Sequence, residues 1–315
     1  MKNTKIPCLI LALVFLLPAC GQEEGAGTST ASVDALIISS KDFELYDRAV
    51  EGFSAVFSGN SRILTMQNPA NDEKLSSVIL EANPKVILAV GLRAAKWIRK
   101  QGLKTPTVFC MAMHPEDNLL KTESMTGVYL EPAPGEQLQA FARVLPDAVK
   151  IGLIYDPKRT SRLVERIKEA ADGLGISVLA RPVATREEVP GALQEIVAEC
   201  QALWLIRDAT VLTREFFNHA LFVQLSKRLP LIAYSEQFVR KGAFFSFSAR
   251  YDQQGETAGD IANRILQGTS PADIPLQYPK GTLSINARTG EMTGALLPSI
   301  RSHLPPGEVY RIEQN

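Results

Sequence analysis

Beyond residue 32 the chain alternates between two kinds of hydrophobic pattern. Short continuous runs rich in apolar and β-branched residues stand at 33–39 (VDALIIS), 62–67 (RILTMQ), 85–90 (KVILAV) and 106–112 (PTVFCMA). Between them, at 42–58, 71–82 and 91–101, apolar residues recur every three or four positions. A second series keeps the same order, with runs at 150–156, 176–182, 202–206 and 230–234 and helical stretches at 159–174, 185–199 and 211–228. Continuous apolar runs predict strands buried on both faces, and the wider spacing predicts amphipathic helices. Leu45, Ala49, Phe53 and Val56 share one predicted face, as do Leu163, Ile167, Ala170 and Leu174. Alternating strand and helix predicts an α/β fold. The similar spacing of the two series predicts two doubly wound parallel-sheet lobes of comparable size.

The N-terminus follows a different pattern. Lys2 and Lys5 precede an apolar stretch at 6–17, and Leu17-Pro18-Ala19-Cys20-Gly21 follows it. The stretch is shorter than the roughly 18 to 20 residues a spanning helix needs, so it predicts a removable secretory signal at 1–19. Leu, Ala and Cys at these positions match the bacterial lipobox, which makes Cys20 the expected lipidated first residue of the mature chain. Residues 20–32, rich in Gly, Ser and Thr without periodicity, read as a flexible tether. Lipid is then the only expected membrane attachment, and the location is extracytoplasmic, on a periplasmic face or a cell surface.

Composition narrows the function classes. The 315 residues carry 34 Lys and Arg against 34 Asp and Glu, and removal of 1–19 takes two lysines and no acid. No basic field remains to steer the chain onto phosphate, which argues against nucleic acid as a partner. Cys110 and Cys200 lie in or beside apolar runs where a buried free thiol is the usual occupant. His114, His219 and His303 have no metal-ligand spacing, so no metal is expected. The sequence contains no G-x-S-x-G, H-E-x-x-H or P-loop motif and no dinucleotide fingerprint after the first strand. No cofactor is expected, and the chain does not read as an enzyme. Gly173-Leu174-Gly175 reads as a helix end leading into a strand.

In doubly wound sheets a ligand sits beyond the carboxyl ends of the strands, against helix N-termini. That rule selects 39–42, 91–93 and 113–115 in the first lobe and 156–159, 207–210 and 235–236 in the second. The candidate ligand-binding residues are Ser40, Leu92, Arg93, His114, Asp156, Asp208, Thr210, Glu236 and Tyr251. Ser40, Asp156, Asp208 and Ser235 are also ordinary N-cap types, so a purely local role is open to each.

The second half carries a resemblance. KIGLIYDP after VLPDA, the Gly242-Ala243 turn, Tyr251 followed by Gly255, Ile265-Leu266-Gln267-Gly268, the segment PADIP at 271–275 and Asn286 in the last strand resemble the ABC-transporter substrate-binding protein family of the tryptophan/tyrosine type. The similarity runs from about Val33 to Pro298. It implies a type I periplasmic binding protein fold with a three-crossing hinge. The N-terminal lobe would take 33–130 plus 250–276 and the C-terminal lobe 131–249 plus 277–315. The stripe Ala258, Ile261, Ala262, Ile265 and Leu266 would then pack into the first lobe's core.

The chain departs from the family where chemistry is read. Family members that bind aromatic amino acids commonly show G-T-x-A where this chain has Gly91-Leu92-Arg93-Ala94, and Asp-Pro where it has His114-Pro115. The T-D-N-T loop corresponds to Arg207-Asp208-Ala209-Thr210. By the resemblance Asp208 is a candidate acceptor for an α-ammonium and Arg93 a partner for a carboxylate, while Arg93 and Arg207 at opposing lips suit a more anionic ligand. Phe43, Tyr46, Tyr155, Tyr234 and Tyr251 are candidate stacking residues. The implied function is that of a monomeric, lipid-anchored solute-binding protein that presents a small polar ligand, such as an amino acid, to an ABC permease and its ATPase. A binding protein coupled to a membrane sensor and, from another class, a lipoprotein hydrolase are the alternatives.

Overall fold

The computed structural model describes residues 33–41, 43–66, 72–295 and 309–311. The predicted signal, Cys20 and the tether lie outside the described residues. The apolar run at 33–39 becomes β1 (Ala35–Ser39), followed by α1 (Glu44–Val56), β2 (Ser61–Thr65), α2 (Asp72–Ala82), β3 (Val86–Val90), α3 (Leu92–Gln101), β4 (Thr107–Cys110) and β5 (Met125–Gly127). These strands form one parallel sheet in the order β2-β1-β3-β4-β5. β1 and β3 are buried at every position because helices cover both faces, which is why they read as unbroken apolar runs. β2, at the sheet edge, is mostly exposed.

The chain then builds α4 (Pro134–Val144), β6 (Lys150–Tyr155), α5 (Pro157–Asp172), β7 (Ser177–Pro182), α6 (Val189–Val197), β8 (Ala202–Trp204), α7 (Arg214–Lys227), β9 (Leu231–Ala233), α8 (Glu236–Arg240) and β10 (Phe245–Ala249). It returns to the first sheet as α9 (Tyr251–Leu266) and closes with β11 (Gly281–Ile285), α10 (Ala287–Thr293) and β12 (Val309–Arg311) in the second. The second sheet runs β12-β11-β10-β9-β8-β6-β7.

Two departures from the expected pattern have physical causes. β11 pairs antiparallel with β10, with Gly281 opposite Ala249. β10 ends at the carboxyl edge of its sheet, and the chain detours through α9 and re-enters at that same edge, so β11 must run back along β10. Leu174 is not part of the α5 stripe: α5 ends at Asp172, Leu174 is exposed, and Leu163, Val164, Ile167 and Ala171 form the buried side.

α9 packs on the first sheet, as its apolar stripe requires. Ala258, Ile261, Ala262 and Ile265 join Phe53, Val86, Leu88 and Val108 in one cluster. The approach to α1 is very close. A Cβ on Gly255 would stand 1.8 Å from the Ala49 carbonyl oxygen, and one on Gly52 would stand 2.0 Å from that of Asp252. Glycine is required at both positions by contact between backbones. The crossing segments between the sheets lie side by side: Tyr129 N–H donates to Gln277 O at 2.9 Å, and the Tyr129 and Tyr278 rings stack at 4.2 Å.

Candidate functional site

The carboxyl ends of β3, β4, β6, β8 and β9 face one another across a cleft of about 410 Å³. Leu92, Met113 and His114 line it from the first sheet, and Lys158, Arg207 and Tyr234 line it from the second. His114 adopts φ 47°, a conformation uncommon outside glycine, and its Nε2 lies 3.2 Å from the Arg207 carbonyl oxygen across the cleft.

Arg207 is the central charged group. Its Nε lies 2.8 Å from Glu131 Oε1, and its guanidinium carbon stands 4.3 Å over the Tyr234 ring. Neither Arg207 Nε nor Glu131 Oε1 makes an aligned hydrogen bond, although both atoms are buried. Burial pushes the Tyr234 phenol up to about 12, with the Arg207 charge pulling the other way. Arg207, Met113 and His114 also form the wall of a second, smaller cavity of about 40 Å³, lined further by Tyr129, Glu131 and Arg166.

Beside this cavity, charged contacts join the sheets. Arg166 on α5 pairs with Glu116, and Arg162 pairs with Asp117 at 3.3 Å. Tyr129 hydroxyl donates to Glu116 Oε1 at 2.6 Å and accepts from Arg166 Nη1 at 3.1 Å. Burial is the largest cause raising the Tyr129 phenol, and its bond to Glu116 adds to it.

The sequence-predicted residues fall into three groups. Leu92 and His114 line the cleft. Asp156, Asp208 and Thr210 form a buried network at its floor. Asp208 Oδ2 accepts from Asp156 N–H at 2.8 Å and Thr160 Oγ1 at 2.7 Å, while Oδ1 accepts from Thr210 N–H at 2.8 Å and Val211 N–H at 3.3 Å. Asp156 caps α5 by accepting from Lys158 N–H and also accepts from the Thr210 hydroxyl, the largest cause holding its carboxyl below the usual range. These four donors on Asp208, which also lines the cleft, fix the loop that carries Arg207. Ser40 is likewise engaged, its Oγ accepting from Ala94 N–H at 2.9 Å and tying β1 to α3. It is not the N-cap of α1, which is Phe43.

Glu236 and Tyr251 are not among the residues lining the Arg207 cleft, although Tyr251 is near enough to Tyr234 to act on its phenol. They line a separate polar cavity of about 680 Å³ between α1, α8 and the start of α9, where Glu236 pairs with Arg240. Arg93 sits on the first turn of α3 and is not among the residues lining either space around Arg207. Asn286, expected in the last strand, instead caps α10 by accepting from Thr289 N–H. Glu131, Tyr129 and Arg166 were not legible as site residues, because each acquires its place only through partners distant in sequence. Cys110 and Cys200 are free and buried, and burial pushes their thiols up to about 12 and about 11. Among the described residues no group of His, Cys, Asp and Glu is placed to hold a metal ion, and no helix is long and apolar enough to cross a membrane.

Two α/β halves that face each other across such a cleft have the architecture of the type I periplasmic binding protein fold. Residues 59–298 match the model of the ABC transporter substrate binding protein family, and the chain belongs to that family. It is therefore a binding protein rather than an enzyme. Over 307 residues it is 24% identical to a tyrosine-binding protein of Clostridioides difficile (strain R20291), covering 88% of each chain. Among solved structures, it is similar to a ligand-free, open substrate-binding protein with adhesive properties from Clostridium difficile, with 19% identity, coverage of 89% of this chain and 99% of that one, and a TM-score of 0.71. An ABC domain from Streptococcus pneumoniae in complex with L-Trp matches with 18% identity, coverage of 88% and 100%, and a TM-score of 0.61.

Proposed function

We propose that this protein captures a small polar solute, an α-amino acid in class, in the Arg207 cleft and presents it to an ABC permease and its ATPase. It works outside the cytoplasm as a monomer, held to a bacterial membrane by lipid on Cys20. The observation that carries this reading is a cleft of about 410 Å³ with walls from both sheets, within the size range of small-ligand sites. Leu92 and Met113 offer it apolar surface, Tyr234 an aromatic face and Arg207 a charge, with Glu131 paired to Arg207 in the adjoining smaller cavity. A relative that is named for binding tyrosine and a similar structure that holds L-Trp support the ligand class. The halves correspond to 33–130 plus 250–276 and 131–249 plus 277–315, and the contacts between α5 and residues 116–117 favour hinge closure around the solute.

A thermal-shift panel of the common L-amino acids and related small acids on residues 26–315 tests the reading. A ligand at a hundred times its dissociation constant adds about 2.7 kcal/mol and raises the unfolding temperature. No shift across the panel contradicts it.

A further inference from the structure

Resting on that solute-binding reading, we propose that Arg207 and Glu131 determine the ligand's charge pattern by parting to receive it. Arg207 takes an anionic group of the ligand, and Glu131 takes a cationic group on a neighbouring atom. Their placement is the first support. Arg207 is shared by the walls of the larger cleft and the small cavity, and Glu131 reaches the small cavity from the crossing segment after β5. A ligand head group entering from the cleft meets both.

The geometry of the pair is the second support. The two atoms stand 2.8 Å apart, yet neither makes an aligned hydrogen bond. A charge-assisted pair reaches its full strength only with aligned bonds, so this one gives up less than a well-formed fork when a ligand divides it. Arg207 is held independently by the Tyr234 ring and by its own backbone, whose carbonyl meets His114 Nε2. It therefore stays in place while the Glu131 carboxylate turns aside only far enough to admit the head group.

Charge accounting then selects the ligand. A purely anionic ligand on Arg207 leaves the Glu131 carboxylate buried and unpaired, and a purely cationic ligand on Glu131 does the same to Arg207; either outcome is costly. A ligand with both charges leaves neither group alone. Because the protein's own charges nearly touch, the ligand's two charges must be on adjacent groups, which fits an α-amino acid and disfavours an acid and amine separated by a long chain. Asp208, whose oxygens already accept from four donors, has less to offer a cation than Glu131, whose Oε1 has no hydrogen-bond donor.

The test is a calorimetric titration of the wild-type protein, Glu131→Gln and Arg207→Gln. The probes are L-tyrosine and L-tryptophan together with their des-amino acids, 3-(4-hydroxyphenyl)propionate and indole-3-propionate. In Glu131→Gln the zwitterion should weaken tenfold or more while its des-amino acid tightens, because the competing carboxylate is gone. Arg207→Gln should weaken both probes tenfold or more. A loss of folding or a general distortion lowers both affinities together, so opposite shifts in Glu131→Gln cannot arise that way. Wild-type binding of a zwitterion with unchanged or same-direction shifts in Glu131→Gln overturns this inference alone. Should wild type bind neither zwitterion, the amino acid that stabilises it in the panel and that compound's des-amino acid take their place; no stabilising amino acid overturns the amino-acid reading and the inference with it.

Discussion

Thr210 shows how much of the site's rigidity depends on single side chains. Its hydroxyl donates to Asp156 Oδ2 and accepts from Arg159 Nε at 3.1 Å, and its N–H donates to Asp208. Thr210→Ala leaves a buried carboxylate oxygen without its donor, so we expect a loss of about 1–3 kcal/mol in urea denaturation near pH 7. The pH dependence has a definite sign. Asp156 titrates lower in the folded chain than in the unfolded one, so its contribution is present above the ordinary carboxylate range and is lost as pH falls through the folded value. The stability gap between wild type and Thr210→Ala should therefore narrow toward pH 3, and a gap independent of pH would contradict this account of the bond. Sequence reasoning named Asp156, Asp208 and Thr210 as separate candidates at two strand ends, but the residue types alone do not reveal that they bond to one another.

Among elements, the contact between α1 and α9 is the tightest constraint. With backbone atoms under 2 Å from where a Gly255 Cβ would stand, a methyl group there forces the helices apart. Gly255→Ala should cost about 1–3 kcal/mol or more, as overpacked cores do. At Gly191, inside α6, a Cβ would meet nothing within 4 Å, so Gly191→Ala should stabilise by about 0.5–1 kcal/mol through helix propensity. Thermal unfolding of the two variants checks both, and equal effects would contradict the packing argument. Much of the element pattern was legible, since unbroken apolar runs gave β1, β3 and β4 and three-to-four spacing gave α1, α3 and α5, while α9 came with the resemblance. The antiparallel turn of β11 and the caps of α10 were not, because each depends on where the chain re-enters a sheet after a long detour.

At the scale of the whole molecule the chain is interleaved: α9 returns to the first sheet, and β11 goes back to the second. That arrangement came from the resemblance rather than from periodicity, which sees each helix but not the sheet it covers. The proposed membrane attachment also belongs to the scale of the full chain. Cys20→Ala should release the protein from membranes and abolish incorporation of labelled lipid, and unchanged labelling would contradict lipidation at Cys20. The central claim, that the Arg207 cleft is the solute site, is tested most directly by titrating the stabilising ligand of the panel against wild type and Ala209→Trp. Ala209 lines the cleft with its surface exposed, so an indole there fills ligand space without entering the core. The account predicts one-to-one binding to wild type and loss of binding to Ala209→Trp at unchanged unfolding temperature; equal affinity for both proteins would contradict it.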